Sequence, residues 1–523
     1  MIKTQDYFES VTEPNGRLKL IVVLLFFVGT LIINHLSAIQ VFPPPAGDAP
    51  YWLVAVINHM NGLGFVNHIA DGLTTYTDRY GAYSLAGYPM LYPYVLSTIS
   101  FGDDIQAVYV SLALMKNIGL TLTLLSLLVL LAKGKKSLDW MTVALLITIL
   151  MTFNVIAGGG RPEALVVLIL SFVGFLIVFK GTLHPIAMGL FIGLIGSTNP
   201  MTGLLCGVAL LMLYGYWYPF GQAVKNLLIT GFSALLIFFL VLEVQEGVLV
   251  SLQRLSGATD ENFGNWFSVE QFIWHNFFIK ERFLVGLAII YSITIIGMLP
   301  LLQQPRSVVV YYTGFIFFLI AYFIASVARP EPVYNIQALL PSGLLLAAWL
   351  FVSGRFKAMT LSIYIASSAG FLVSLVGFGA YLADGTDFDT GKESFGSILN
   401  SVPNHDRIGI DDGLWALASD HSDFARLYQW NSRVRDYSED NTRNLVVTRQ
   451  MYSNTFPSGS LSPASKISDP KRGIDHLLVC DYFNHKEPKL AGIRYGRSVP
   501  GYGFAVYAPR ELYESGFRIP CER

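Results

Sequence analysis

The feature that most constrains this chain is a series of apolar runs, each bounded by lysine or arginine. A helix rises about 1.5 Å per residue and a bilayer core is about 30 Å thick, so roughly 17 to 25 apolar residues cross it once. Runs of that kind lie at 20–40, 106–132, 141–157, 164–180, 184–199, 203–219, 226–244, 283–302, 307–328, 334–352 and 358–382. They predict about eleven transmembrane helices. At 53% hydrophobic and only 14% charged residues, the 523-residue chain is too apolar for an ordinary soluble enzyme and reads as an α-helical polytopic membrane protein. A formal net charge of -1 leaves no basic surplus to neutralise phosphates, which argues against a nucleic-acid partner.

Lysine and arginine in short loops mark the cytoplasmic side of a membrane protein. Arg17 and Lys19, then Lys133, Lys135 and Lys136, then Lys180, Lys225, Arg306, and Arg355 with Lys357, all fall on one side. That orientation puts the N-terminus in the cytoplasm and everything after the last span outside. The outer loops are then 42–105, 158–163, 199–202, 245–282 and 329–333. The first apolar run is long for a signal-peptide core and no small-x-small cleavage site follows, so it reads as an uncleaved anchor. The expected location is the plasma (inner) membrane.

Charge divides the chain in two. From Ala383 onward there are 19 acids and 17 bases, so 36 of the 71 charged residues fall in the last 141 positions. Residues 1–382 are expected to form a transmembrane domain with a large first outer loop, and 383–523 an extracytoplasmic soluble α/β domain. Strand-like runs occur at RIGID (407–411), NLVVTRQ (444–450), DHLLVCDYF (475–483) and GFAVYAP (503–509), with helix-compatible stretches such as GLWALASDHSDFARLYQW between them. Asp411, Asp412 and His421 read as polar surface. Of the three cysteines, Cys206 lies in an apolar run; Cys480 and Cys521 either pair, if the tail faces an oxidising compartment, or stand as separate thiols.

The outer loops hold the unusual residues. In GDAPYWLVAVINHMNGLGF, Asp48 suits the cap of a helix that begins at Ala49 and ends near Gly62, with Tyr51 and Trp52 expected at headgroup depth. In GGGRPE, Pro162 fits a first helical turn and Glu163 the positive end of the helix dipole. Arg161 fits that position less well, because a cation there opposes the dipole and calls for an anion. Arg329 and Glu331 repeat the Arg-Pro-Glu pattern before the tenth span, where an arginine also snorkels readily. Lys116 lies deep within the second span, and an ionisable residue there faces a polar interior or a partner such as Glu163.

Other chemistries lack their residues. There is no GxxxxGK[ST] loop to drive transport with ATP, and no HExxH, CxxC or His-rich run for a transition metal. Asp387-Phe388-Asp389 reads as a solvated turn in a polar linker.

The run D-A-P-Y-W-x(5)-N-x-x-N-G-L-G-F, followed by G-Y-P-M-L-Y-P with Tyr88 and Tyr92, resembles the first outer loop of GT-C membrane glycosyltransferases. It is most similar to that of the dolichyl-phosphate-mannose protein mannosyltransferases and their bacterial relatives. The likeness continues through Lys116-Asn117, Arg161-Pro162-Glu163, and Arg329 with the P-x-x-N-x-x-x-L-L-P after it. It covers the membrane body. The chain departs from the family pattern at Val333-Tyr334-Asn335, where Arg-Tyr is usual, has no second acid directly after Asp48, and lacks a W-W-D motif.

The resemblance implies transfer of a hexosyl, mannosyl-like sugar from a polyprenyl-phosphate donor to an acceptor hydroxyl on the outer face. Asp48 is then the base that takes the acceptor proton. Arg161 and Arg329, with Lys116, would meet the departing lipid phosphate, as cations in a water-poor cleft do. Glu163 would hold the acceptor, orient Arg161 or help bind a divalent cation, with no other cofactor implied. Tyr88 and Tyr92 would line the substrate side. The acceptor class, whether protein, lipid or polysaccharide, stays open. Competing readings are a secondary transporter, which should show internal repeats around a mid-membrane site, an envelope assembly protein without catalysis, and a lipid-linked glycan ligase or polymerase.

Overall fold

The computed structural model describes residues 14–40, 49–62, 65, 91–102, 104–133, 162–180, 183–200, 218–249, 251–252, 388–401, 408–411, 427–430, 445–449, 466–469, 474–482, 489–490, 493–494 and 504–519, with isolated positions at 140, 143, 146–147, 203–204, 207 and 214. The spans read at 283–302, 307–328, 334–352 and 358–382 lie outside the described residues.

Seven helices form the described part of the apolar body: α1 (Pro14–Gln40), α2 (Ala49–Met60), α3 (Leu91–Ile99), α4 (Ile105–Lys133), α5 (Glu163–Lys180), α6 (Pro185–Gly196) and α7 (Phe220–Glu246). The segments Ile105–Val129 of α4 and Phe220–Val244 of α7 are long and apolar enough to cross a membrane. Leu24, Leu25, Val28 and Ile32 on α1, and Phe232, Leu235, Leu236 and Leu240 on α7, are exposed. An apolar surface of that extent is foreign to a water-facing helix and natural to one facing lipid.

Small residues set the closest helix contact. A Cβ built on Gly193 of α6 would lie 2.6 Å from the Ala234 carbonyl oxygen and 2.8 Å from Ile237 Cβ, both on α7. Glycine there lets the two backbones touch, as small-xxx-small faces do in membranes. The contact is finished by polar stitches: Thr230 Oγ1 donates to the Pro185 carbonyl at 3.0 Å and lies 3.1 Å from the Tyr214 hydroxyl. At 12 residues, α6 is shorter than the span read at 184–199, because Ser197 and Thr198 turn the chain there, their side chains bonding back to Gly193 and Leu194.

The C-terminal region begins with α8 (Phe388–Ser401), an amphipathic helix with Phe395, Ile398 and Leu399 buried. This corrects the solvated-turn reading of Asp387-Phe388-Asp389, since Phe388 and Asp389 already belong to the first turn of α8. Eight strands follow: β1 (Ile408–Asp411), β2 (Leu427–Trp430), β3 (Leu445–Arg449), β4 (Lys466–Asp469), β5 (Ile474–Tyr482), β6 (Lys489–Leu490), β7 (Ile493–Arg494) and β8 (Phe504–Pro509), then α9 (Arg510–Glu514). Six of them make one mixed sheet in the order β2-β1-β3-β8-β5-β4. The pairs β1–β2 and β1–β3 are parallel, and β3–β8, β8–β5 and β5–β4 antiparallel.

The four strand-like runs of the sequence are β1, β3, β5 and β8. Leu427–Trp430, inside the stretch read as helix-compatible, is instead the edge strand β2. Residues 505–508 of β8 are all fully buried, the signature of a strand covered on both faces. Cys480, buried in β5, is disulfide-bonded. Across the same strand, Arg510 donates to Asp475 at 2.7 Å, which holds that carboxyl below its ordinary range.

Candidate functional site

Of the candidate site residues, Tyr92 lies on α3, Lys116 on α4, and Glu163 begins α5. Helix α2 begins at Ala49, the residue after Asp48, and ends in a turn in which the Gly62 amide donates to the His59 carbonyl at 3.0 Å. Gly62 has a φ of +81°, a left-handed conformation that glycine adopts without strain. The His59 and Phe65 rings stack with centroids 3.8 Å apart, and Phe65 leans on Tyr94 of α3 at 6.4 Å. Trp52 and Tyr92 meet edge to face at 6.4 Å, both fully buried. Trp52 therefore packs α2 against α3. Tyr92 takes part in the same packing.

Asp104 caps α4, accepting from the Ala107 amide at 2.7 Å. Lys116 is half-buried on that helix, and the residues of its own stripe, Leu112, Ala113, Leu120 and Thr123, are all buried. The lysine thus lies on the protein-facing side of an apolar helix. Among the described residues, no acid forms an ion pair with it.

On one flank, α4 is held by α1. Asn34 Nδ2 donates to Asn117 Oδ1 at 2.8 Å, and Asn117 Nδ2 to the Leu31 carbonyl at 3.4 Å. Towards the start of α1, Lys19 Nζ lies 5.9 Å from the ring centroid of Trp140, which follows α4. Two such contacts require α1 and α4 to run antiparallel. Asn34, Asn117 and Lys116 therefore lie near the end of α1 that leads to Asp48. On the other flank, Thr123 Oγ1 donates to Ser171 Oγ of α5 at 3.3 Å.

Helix α5 starts at Glu163, with the Pro162 carbonyl accepting from the Leu165 amide at 3.0 Å. That agrees with the helix start read from GGGRPE and sets Glu163 at the positive end of α5. Asp48, Tyr88, Arg161 and Arg329 lie outside the described residues, as does the side chain of Glu163. Among the described residues, no cluster of three His, Cys, Asp or Glu side chains is arranged to hold a metal ion. Asn34 was not singled out from the sequence. Its signal was one amide in the apolar run LIINHL, with a second, Asn117, beside the intramembrane lysine.

The fold of the chain recurs among solved structures. ArnT from Cupriavidus metallidurans bound to undecaprenyl phosphate shares it at 12% identity and a TM-score of 0.51, over 93% of this chain and 97% of that one. The apo state of the same protein matches at 12% identity and 0.49 over the same shares, and an Archaeoglobus fulgidus oligosaccharyltransferase at 13% and 0.39 over 82% of this chain and 67% of that one. No protein-family model matches the chain, and no curated protein does.

Proposed function

We propose that this protein is a membrane glycosyltransferase that moves a sugar from a polyprenyl-phosphate-linked donor to an acceptor hydroxyl at the outer face of the membrane. The observation that carries the reading is Lys116, a cation on the protein-facing stripe of an apolar helix with no acid paired to it among the described residues. An ammonium within a membrane needs an anion. A lipid phosphate supplies one at that depth without leaving the bilayer, and the ArnT structure that shares the fold holds undecaprenyl phosphate.

The helix levels support a common site. With α4 and α5 running in the same sense, Lys133 and Lys180 end both helices on one side, as cytoplasmic lysines do. Two turns back from the Thr123–Ser171 contact, Lys116 is then level with Ala164, next to Glu163. Asp48, at the start of α2, is the acceptor's base. Arg161 and Arg329 join Lys116 around the departing phosphate, where preorganised cations stabilise growing charge. Glu163 orients Arg161 or the acceptor, and is the residue here that would meet a divalent cation.

The disulfide at Cys480 supports an external C-terminal sheet, since such bonds persist in oxidising compartments. The test is chemical. Deleting the protein should cause a polyprenyl monophosphate sugar to accumulate, detected by mass spectrometry of the lipid pool; an unchanged pool overturns the proposal.

A further inference from the structure

We infer that the Asn34–Asn117 hydrogen bond between α1 and α4 positions Lys116 for the lipid-linked phosphate, a reading that rests on the function proposed above. Two amides in neighbouring membrane helices are expensive to bury and interact well only in one register, because the donor of one must face the acceptor of the other. The 2.8 Å bond from Asn34 to Asn117, with Asn117 turned back to the Leu31 carbonyl, fixes both the height of α4 against α1 and its rotation. Asn34 is 5% exposed and Asn117 half-buried.

Lys116 is the neighbouring residue, about 100° further round the helix. Its side chain is long and flexible, and nothing among the described residues pairs with it, so the ammonium is placed by the orientation of its helix. The Thr123–Ser171 bond restrains α4 on the opposite flank and two turns away. Between the two contacts α4 can neither slide nor turn without breaking one of these hydrogen bonds. Apolar residues at 34 and 117 would hold the helices together as well, but in a less unique register, since dispersion contacts are not directional.

Undecaprenyl phosphate binding to the full chain in nanodiscs tests this, with Lys116→Met, Asn34→Ala, Asn34→Ser and the double variant Asn34→Ala/Lys116→Met. Lys116→Met should weaken binding severely. Asn34→Ala should weaken it by about 3- to 10-fold, the value of one interhelical hydrogen bond. Asn34→Ser, which keeps a donor, should recover part of the loss. In the Lys116→Met background, Asn34→Ala should change nothing further. A purely structural amide pair would instead lower the thermal midpoint and leave binding by the folded fraction intact, and that result overturns the inference, as does an equal Asn34→Ala loss with and without Lys116. If Asn34→Ala does not fold, Asn34→Ser against the same lysine background carries the same comparison. Lys116→Met without effect would refute the phosphate assignment itself; a severe Lys116→Met loss with Asn34 variants at parental affinity would refute the positioning role alone.

Discussion

At the scale of single residues, Asp48 separates two roles that one carboxylate can fill. Asparagine caps a helix as well as aspartate does, so Asp48→Asn should leave insertion of α2 and protein level unchanged. It removes the basicity, and loss of a general base commonly costs on the order of 100- to 10,000-fold in rate. Transfer from a defined polyprenyl-phosphate sugar in membranes, with expression matched by immunoblot, should therefore fall to near background. Activity within a few fold of the parent would shift the base to Glu163. Asp475 makes a different prediction. Its folded value is depressed, chiefly by the hydrogen bond from Arg510, so the stabilisation it provides is present above the unfolded carboxylate value and is lost as pH falls through the folded one. The protection factors of the α9 amides, taken against the intrinsic exchange rate at each pH, should fall on acidification below about pH 4, and Asp475→Asn should remove that dependence. The pair is 45% and 44% exposed, which keeps the effect small.

At the scale of elements, the contact between α6 and α7 depends on having no side chain at position 193. Gly193→Val would force apart two backbones already in contact and should destabilise the protein by about 1–3 kcal/mol, an overpacking cost read from the thermal midpoint in detergent. Gly231→Ala, where an added Cβ meets nothing within 4 Å, should leave the midpoint near the parent's. This scale also shows what the sequence made legible. The start of α2 at Ala49 and its end at Gly62, and the start of α5 after Pro162, were readable because caps, glycine and proline act within a turn of where they stand. The partner of Trp52 was not readable, since headgroup and buried positions accept the same aromatic residue. Strand β2 was hidden because LYQW is short and its pairing with β1 is supplied from elsewhere in the chain. The amide pair was hidden for the same reason: Asn34 and Asn117 are 83 residues apart.

At the scale of the molecule, sidedness is the main expectation. Alternating loop charge places Lys135 in the cytoplasm and Ser458 outside. Single cysteines at these positions, in a chain lacking the native three, should differ in intact cells: Ser458→Cys should react with an impermeant thiol reagent and Lys135→Cys should not. Equal labelling would remove the outer-face chemistry. The disulfide at Cys480 offers an independent check, because a sheet facing the cytoplasm would be found reduced by thiol alkylation and mass shift.

The placement of β8 has a consequence for how the protein is made. It is the last strand of the six in sequence and yet lies third from one edge, paired with β3 on one side and β5 on the other. Until residues 504–509 have left the ribosome, the β1–β3 and β4–β5 halves have nothing to join them. The sheet therefore closes only after β8 has been made, and a nonsense codon at Gly503 would not trim the sheet but split it, exposing two raw strand edges to the cell's proteases.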